Sequence, residues 1–272
     1  MASFENILLV GCGNMAGAML RGWLAAGLAP GRFTVADPAQ PELPGGVRWL
    51  EAIPSDGTFD AILLGVKPQL LDRVAPQVAR LAGPGTVLLS LLAGVELDTL
   101  AARFPAAAAH VRVMPNLAVE LGKAPVALAE RGLDDAGRAA LVALMEPLGT
   151  PEWVGEEQFD LVTALAGSGP AFTYRFIDAL AEGAARLGLP REQADRLALA
   201  TVEGAAALAA ASPHDPGELA RRVASPGGMT REGLDVLDAE GALVKLVEET
   251  LRAARDRGAE LAADARNQAK NH

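Results

Sequence analysis

The chain has 272 residues, is half hydrophobic and carries a net charge of −10. That length suffices for one large or two modest domains with a full core, and the apolar content excludes a disordered chain. Excess acid in both halves, with 4% aromatics, argues against nucleic acid, whose binding needs clustered Lys and Arg and stacking rings. A lone cysteine, Cys12, leaves no disulfide and no thiolate zinc site, and fits a reducing compartment, the cytoplasm. The first residues lack the basic stretch of a signal peptide. The longest apolar runs are too short to span a bilayer, so no membrane partner is expected. The three histidines have no metal-ligand spacing, and no metal is expected.

In chain order, short apolar runs alternate with helical patterns. Asn6–Val10, Arg32–Ala36, Asp60–Val66, Thr86–Ser90 and His110–Met114 read as buried strands. Helices are predicted over 15–26, 70–81 and 97–104. Such β–α repetition predicts a parallel sheet covered on both faces. From about Asp160 the pattern is helical only, over 170–187, 190–211, 230–237 and 243–263. The polar break Gly155-Glu156-Glu157 places a domain boundary there, giving 1–157 and 158–272. The Ala-rich 190–211 helix is expected to pack on another helix.

Gly11-Cys12-Gly13-Asn14-Met15-Ala16 follows the first strand and opens the first helix. This fits the dinucleotide turn: Gly11 for the bend, Gly13 for close approach of the pyrophosphate, Ala16 for helix–strand packing. The helix start then offers N–H groups and the positive dipole end to phosphate. Asp37, ending the second strand, is placed to bond the ribose hydroxyls and repel a 2′-phosphate. No Lys or Arg lies between Asp37 and Gly46. NADH is therefore expected to compete at least evenly with NADPH. The alternative for Asp37 is a turn-forming residue before Pro38. Pro226-Gly227-Gly228-Met229-Thr230 precedes a helix and reads as a nest of N–H groups for an anion, or as a plain turn with Thr230 as N-cap. Ser168 on its own reads as a helix cap. His110 reads as structural, His214-Asp215-Pro216 as an interhelical loop, and Arg221-Arg222 as a solvated helix face.

Five segments together resemble the pyrroline-5-carboxylate reductase family. They are Gly11-Cys12-Gly13-Asn14-Met15, Val66-Lys67-Pro68-Gln69, Arg112-Val113-Met114-Pro115-Asn116, Ala166-Gly167-Ser168-Gly169-Pro170-Ala171 and Ser225-Pro226-Gly227-Gly228-Met229-Thr230. The resemblance runs in order from Ile7 to about Leu237. It implies an α/β Rossmann domain with a parallel sheet followed by an all-α dimerisation domain. It also implies reduction of the cyclic imine 1-pyrroline-5-carboxylate to L-proline by NADPH or NADH, the last step of proline synthesis. Cofactor contacts are implied for Gly11, Cys12, Gly13, Asn14, Met15, Asp37, Val66, Lys67, Pro68 and Ala93. The imino acid is assigned to Ser225, Gly227, Gly228, Met229, Thr230 and Asn116, with Thr230 catalytic. A homo-oligomer built on a dimer is expected, extending to rings such as a decamer. The chain departs from the family at Phe172, usually Tyr, at Asp37, and at Lys123-Ala124 within a Gly-rich stretch. Two other readings compete. A β-hydroxyacid-dehydrogenase-like enzyme would need a Lys where Thr173 stands, and a dinucleotide sensor without turnover would not need the Ser225–Thr230 nest.

Overall fold

The computed structural model describes residues 4–270, with side chains described as far as 260 and at 263. It divides into two compact units, one running to Ser168 and resuming at Ala254, the other Gly169–Ala253.

The first unit is built on an eight-stranded sheet. Its strands are β1 (Ile7–Val10), β2 (Phe33–Ala36), β3 (Arg48–Leu50), β4 (Ala61–Leu64), β5 (Val87–Ser90), β6 (Ala109–Met114), β7 (Ala124–Arg131) and β8 (Gly149–Trp153). Between them lie α1 (Asn14–Ala25), α2 (Leu71–Val78), α3 (Leu97–Arg103) and α4 (Asp135–Met145), and α5 (Phe159–Val162) follows. The spatial order is β3-β2-β1-β4-β5-β6-β7-β8. All neighbours are parallel except β6 and β7.

The central strands read as unbroken apolar runs because both of their faces are covered. Along β1, Ile7 and Leu9 join Trp23 and Met19 of α1 and Leu141 and Met145 of α4. Leu8 and Val10 join Leu71 and Val78 of α2 and Leu100 of α3 on the other face. Trp23 is fully buried, stacks on Phe33 at 5.4 Å, and donates its indole N–H to the Leu144 carbonyl at 2.7 Å. Truncating such a side chain typically costs about 3–5 kcal/mol.

The five strands expected from the sequence are present, and the parallel sheet needs one amendment. The chain between β6 and β7 is too short for a crossover helix, so β7 returns antiparallel. Strands β3, β7 and β8 and helices α4 and α8 (Pro216–Val223) were not expected. Pro125 and Pro151 weaken the strand pattern of β7 and β8. The missed helices carry N-caps, Asp134 on Gly137 N–H at 2.7 Å and Asp215 on Glu218 N–H at 2.8 Å, the second followed by Pro216 in the first turn.

The second unit contains α6 (Gly169–Arg186), α7 (Arg191–Ala211), α8, α9 (Met229–Asp238) and the start of α10 (Ala242–Lys270). Its core is small-residue packing of α6 on α7 through Ala181, Ala194 and Ala198. Among the described residues no helix is long and apolar enough to cross a membrane.

Candidate active site

In the first unit the parallel strands deliver their carboxyl ends to one edge of the sheet. Gly11–Met15, Asp37, Val66–Pro68, Ala93 and Asn116 all follow strands of that parallel set. The strand order reverses at β1, the switch point where open α/β sheets bind ligands.

At this point two backbones nearly touch. Gly11 has φ +84°, and a Cβ there would lie 2.9 Å from Val66 Cγ1. A Cβ on Gly65 would lie 2.5 Å from the Gly11 carbonyl oxygen and 2.8 Å from Ala16 Cβ. Gly65 is thus a site-shaping residue that motif reading missed; its signal was a glycine closing the apolar run of β4. Gly13 is the N-cap of α1, without a side-chain cap and with no acidic residue in the first turn. A Cβ on Gly13 would meet nothing within 4 Å. The helix start therefore opens onto free space with its N–H groups uncapped, the arrangement that favours phosphate.

Asp37 is wired into this turn. One carboxylate oxygen accepts the Cys12 N–H at 2.7 Å and the other accepts the Ala39 N–H at 2.8 Å. Its backbone carbonyl also accepts the Trp49 indole N–H at 3.0 Å. Asp37 thus combines the turn-forming role with a bond to the glycine turn that follows β1. The Cys12 thiol is pushed up to about 11, by burial first and then by the charge of Asp37. It stays protonated at neutral pH, as a small buried residue rather than a redox nucleophile.

Lys67 is exposed in extended backbone (φ −67°, ψ 144°) before the 3₁₀ turn Pro68–Leu70, with Val66 half-buried beside it. It forms no ion pair among the described residues. Ala93 is exposed on the loop between β5 and α3, next to Gly94 with φ +74°. Asn116 is buried with both ends of its amide engaged. Its Nδ2 donates to the Ala166 carbonyl at 2.9 Å, and its Oδ1 accepts the Ala118 N–H at 2.9 Å. It ties the loop after β6 to the π-helical stretch Thr163–Gly167.

In the second unit Gly227 takes φ +68°, and a Cβ on Gly228 would lie 2.6 Å from Ser225 Oγ. Gly228 donates its N–H to the Ser225 carbonyl at 3.0 Å and is the N-cap of α9, with no side-chain cap bond. The reading of Thr230 as N-cap is therefore corrected. It lies inside the first turn of α9, exposed, because Gly228 takes the extended cap conformation. Met229 is 93% exposed beside it. Ser168 likewise makes no side-chain cap bond among the described residues; the π-helical turn brings its own N–H onto the Thr163 carbonyl instead. Thr173 spends its hydroxyl on the Gly169 carbonyl at 3.0 Å, so α6 carries no acid at that position. Arg221 and Arg222 both pair with Glu218 of their own helix. His110 is buried against the Phe104 carbonyl at 3.0 Å.

Comparison with known proteins gives the chain's relatives. A family model described as pyrroline-5-carboxylate reductase dimerisation matches residues 156–261. The chain is similar to the pyrroline-5-carboxylate reductase of Pseudomonas aeruginosa, 33% identical over 268 residues, covering 96% of this chain and 98% of the relative. It is also similar to that of Methanosarcina acetivorans, 32% identical over 261 residues, covering 92% and 95%. Among solved structures, a pyrroline-5-carboxylate reductase from Coxiella burnetii superposes with TM-score 0.85 at 29% identity, covering 95% of this chain and 99% of that one. The Plasmodium falciparum enzyme, solved with NADP bound, shares the fold with TM-score 0.76 at 20% identity, covering 96% and 100%.

Proposed function

The chain belongs to the pyrroline-5-carboxylate reductase family, and from that premise we propose that it reduces 1-pyrroline-5-carboxylate to L-proline, using NADH or NADPH. The observation that carries the reading is the uncapped start of α1 beyond Gly13, set against the close Gly11–Gly65 crossing at the switch point. These residues fit a dinucleotide: the glycines admit the pyrophosphate, and the helix start supplies N–H donors and a favourable dipole. When bound, the reduced nicotinamide supplies the hydride.

The protein's own part is to bind and to orient. Gly11, Cys12, Gly13, Asn14 and Met15 form the phosphate turn, and Asp37 faces the ribose. Val66, Lys67, Pro68 and Ala93 line the same edge of the sheet. The Ser225–Thr230 loop is assigned to the substrate carboxylate, through backbone N–H groups next to two glycines and an uncapped helix start. Thr230 contributes a hydroxyl that orients the ring nitrogen. Asn116 acts by fixing the loop after β6, since both ends of its amide are already bonded within the protein. With the cofactor bound, a hydride supplied to the imine carbon and a proton from solution on the nitrogen would give the secondary amine. No strong side-chain acid is then required, in keeping with Thr173 where a hydroxyacid dehydrogenase would hold its Lys.

The helical region matched by the dimerisation model makes the protein a homo-oligomer. We take a dimer as its unit, with rings of dimers as the larger form. Burial within α6–α9 supports this: Tyr174, Leu187, Leu208 and Val236 are 68%, 92%, 65% and 73% exposed, too much apolar surface for a helical unit to leave in water. The division of labour places cofactor binding in 1–157 and dimerisation in 158–272. Purified protein mixed with the imine is expected to consume reduced nicotinamide absorbance with both cofactors. Absence of imine-dependent consumption with either one refutes the proposal.

A further inference from the structure

We propose that Arg112 and Glu156 form a positioning couple that fixes the loop between β5 and α3, and through Ala93 and Gly94 sets the geometry of the hydride step; this rests on the reductase reading above. Arg112 stands on β6 with its side chain 3% exposed, and its guanidinium lies 3.8 Å over the ring of Phe159. Its Nη1 donates to Glu156 Oε1 at 3.0 Å. The same oxygen accepts the N–H of Leu97, the first residue of α3, at 3.0 Å. A carboxylate arriving after β8 thus reaches back to the helix start that ends the loop. That loop carries exposed Ala93 and Gly94 in a positive-φ conformation. Ala93, Gly94 and Arg112 line one cavity of about 280 Å³, whose walls also include Met114, Ser168 and the charged Asp160 and Arg257.

The pair is poorly arranged for stability alone. It meets through Arg112 Nη1 alone, and among the described residues Arg112 Nε and Glu156 Oε2 are buried without hydrogen-bond partners. Arg112 is buried while the Glu156 side chain is 33% exposed, so the cost of desolvation falls mainly on the guanidinium, and removing its counter-charge is costly. The two charges also cancel, so the pair itself adds no net charge beside the cavity. What the pair does provide is a fixed acceptor for one backbone N–H at the end of the loop.

The test compares Glu156→Gln with the double variant Arg112→Met, Glu156→Leu in the intact oligomer. Gln keeps an acceptor oxygen for Leu97 but leaves Arg112 without its counter-charge. The double variant restores apolar packing but removes the acceptor. The proposal expects the double variant to be the more stable and the less active of the two. Its kcat should fall about tenfold, or ~1.4 kcal/mol, with the KM for imine within about twofold. The deuterium isotope effect from 4-deuterated cofactor should rise, and amide exchange at Leu97 should quicken. Activity that merely tracks stability overturns the proposal, as does a double variant with parental kcat and isotope effect. Leu97 exchange needs no turnover. Faster exchange in the double variant, when the parent itself never consumes the imine, therefore marks failure of the reductase reading alone, while exchange unchanged from the parent marks failure of the couple itself.

Discussion

Asp37→Ser is expected to move cofactor choice toward NADPH, and the structure sets the size of the effect. Both oxygens of Asp37 rest on backbone donors, Cys12 N–H at 2.7 Å and Ala39 N–H at 2.8 Å. The carboxylate therefore cannot swing aside to accommodate a 2′-phosphate, and no Lys or Arg between Asp37 and Gly46 offsets its charge. Unit like charges about 5 Å apart, at an effective dielectric of roughly 20–80, repel by about 1–3 kcal/mol. That is about five- to a hundredfold in relative efficiency. Serine removes the charge, but it also deprives the Cys12 N–H of a charged acceptor. This second loss, about 1 kcal/mol in a part-exposed setting, falls equally on both cofactors. The assay is kcat/KM for NADH and NADPH at saturating imine, in parent and variant. The ratio should shift at least about fivefold toward NADPH, while efficiency with NADH falls about fivefold. A parent that prefers NADPH by about a hundredfold, or a ratio that stays within about twofold on substitution, refutes the reasoning.

Gly65→Ala should weaken cofactor binding at least about tenfold, because its Cβ would lie 2.5 Å from the Gly11 carbonyl oxygen; a dissociation constant unchanged by fluorescence titration contradicts the crossing. Thr230→Ala should lower kcat/KM for the imine about ten- to a hundredfold with cofactor affinity unchanged, as expected for a lost charge-assisted hydrogen bond of roughly 1.5–3 kcal/mol. Since Gly228 is the cap of α9, the melting temperature of that variant should hardly move. His110 is held below its ordinary pKa, by burial first. The unfolded chain therefore takes up the proton first as pH falls. The contribution of His110 is complete above about pH 6.5 and is lost as pH drops through the lower folded value. Urea midpoints should decline over that window in the parent and decline less in His110→Gln, and equal slopes sink the assignment.

The core of the fold was legible because β1, β2, β4 and β5 are buried on both faces and so read as pure apolar runs. β8 was not, since Gly149-Thr150-Pro151-Glu152-Trp153 lies at the sheet edge, where Pro is tolerated and one face meets water. The glycine turn between β1 and α1 was legible because its residues are adjacent in sequence. The contact between Gly65 and Gly11 was not, because only the parallel pairing of β1 and β4 brings the two together. The pairing of Arg112 with Glu156 was hidden for the same reason: they lie 44 residues apart, one within a strand and motif and the other in the polar break at the domain boundary. Asn116 was visible as part of a motif, but its motif could not show that its amide is consumed by Ala166 and Ala118.

The most direct test of the central claim is transfer of label. The protein is incubated with 1-pyrroline-5-carboxylate and cofactor deuterated at C4 of the dihydronicotinamide, on the transferred face, and the product is read by mass spectrometry and NMR. The account predicts L-proline carrying one deuterium at C5, formed in step with oxidised cofactor. Proline without deuterium, or cofactor oxidation without proline, contradicts it.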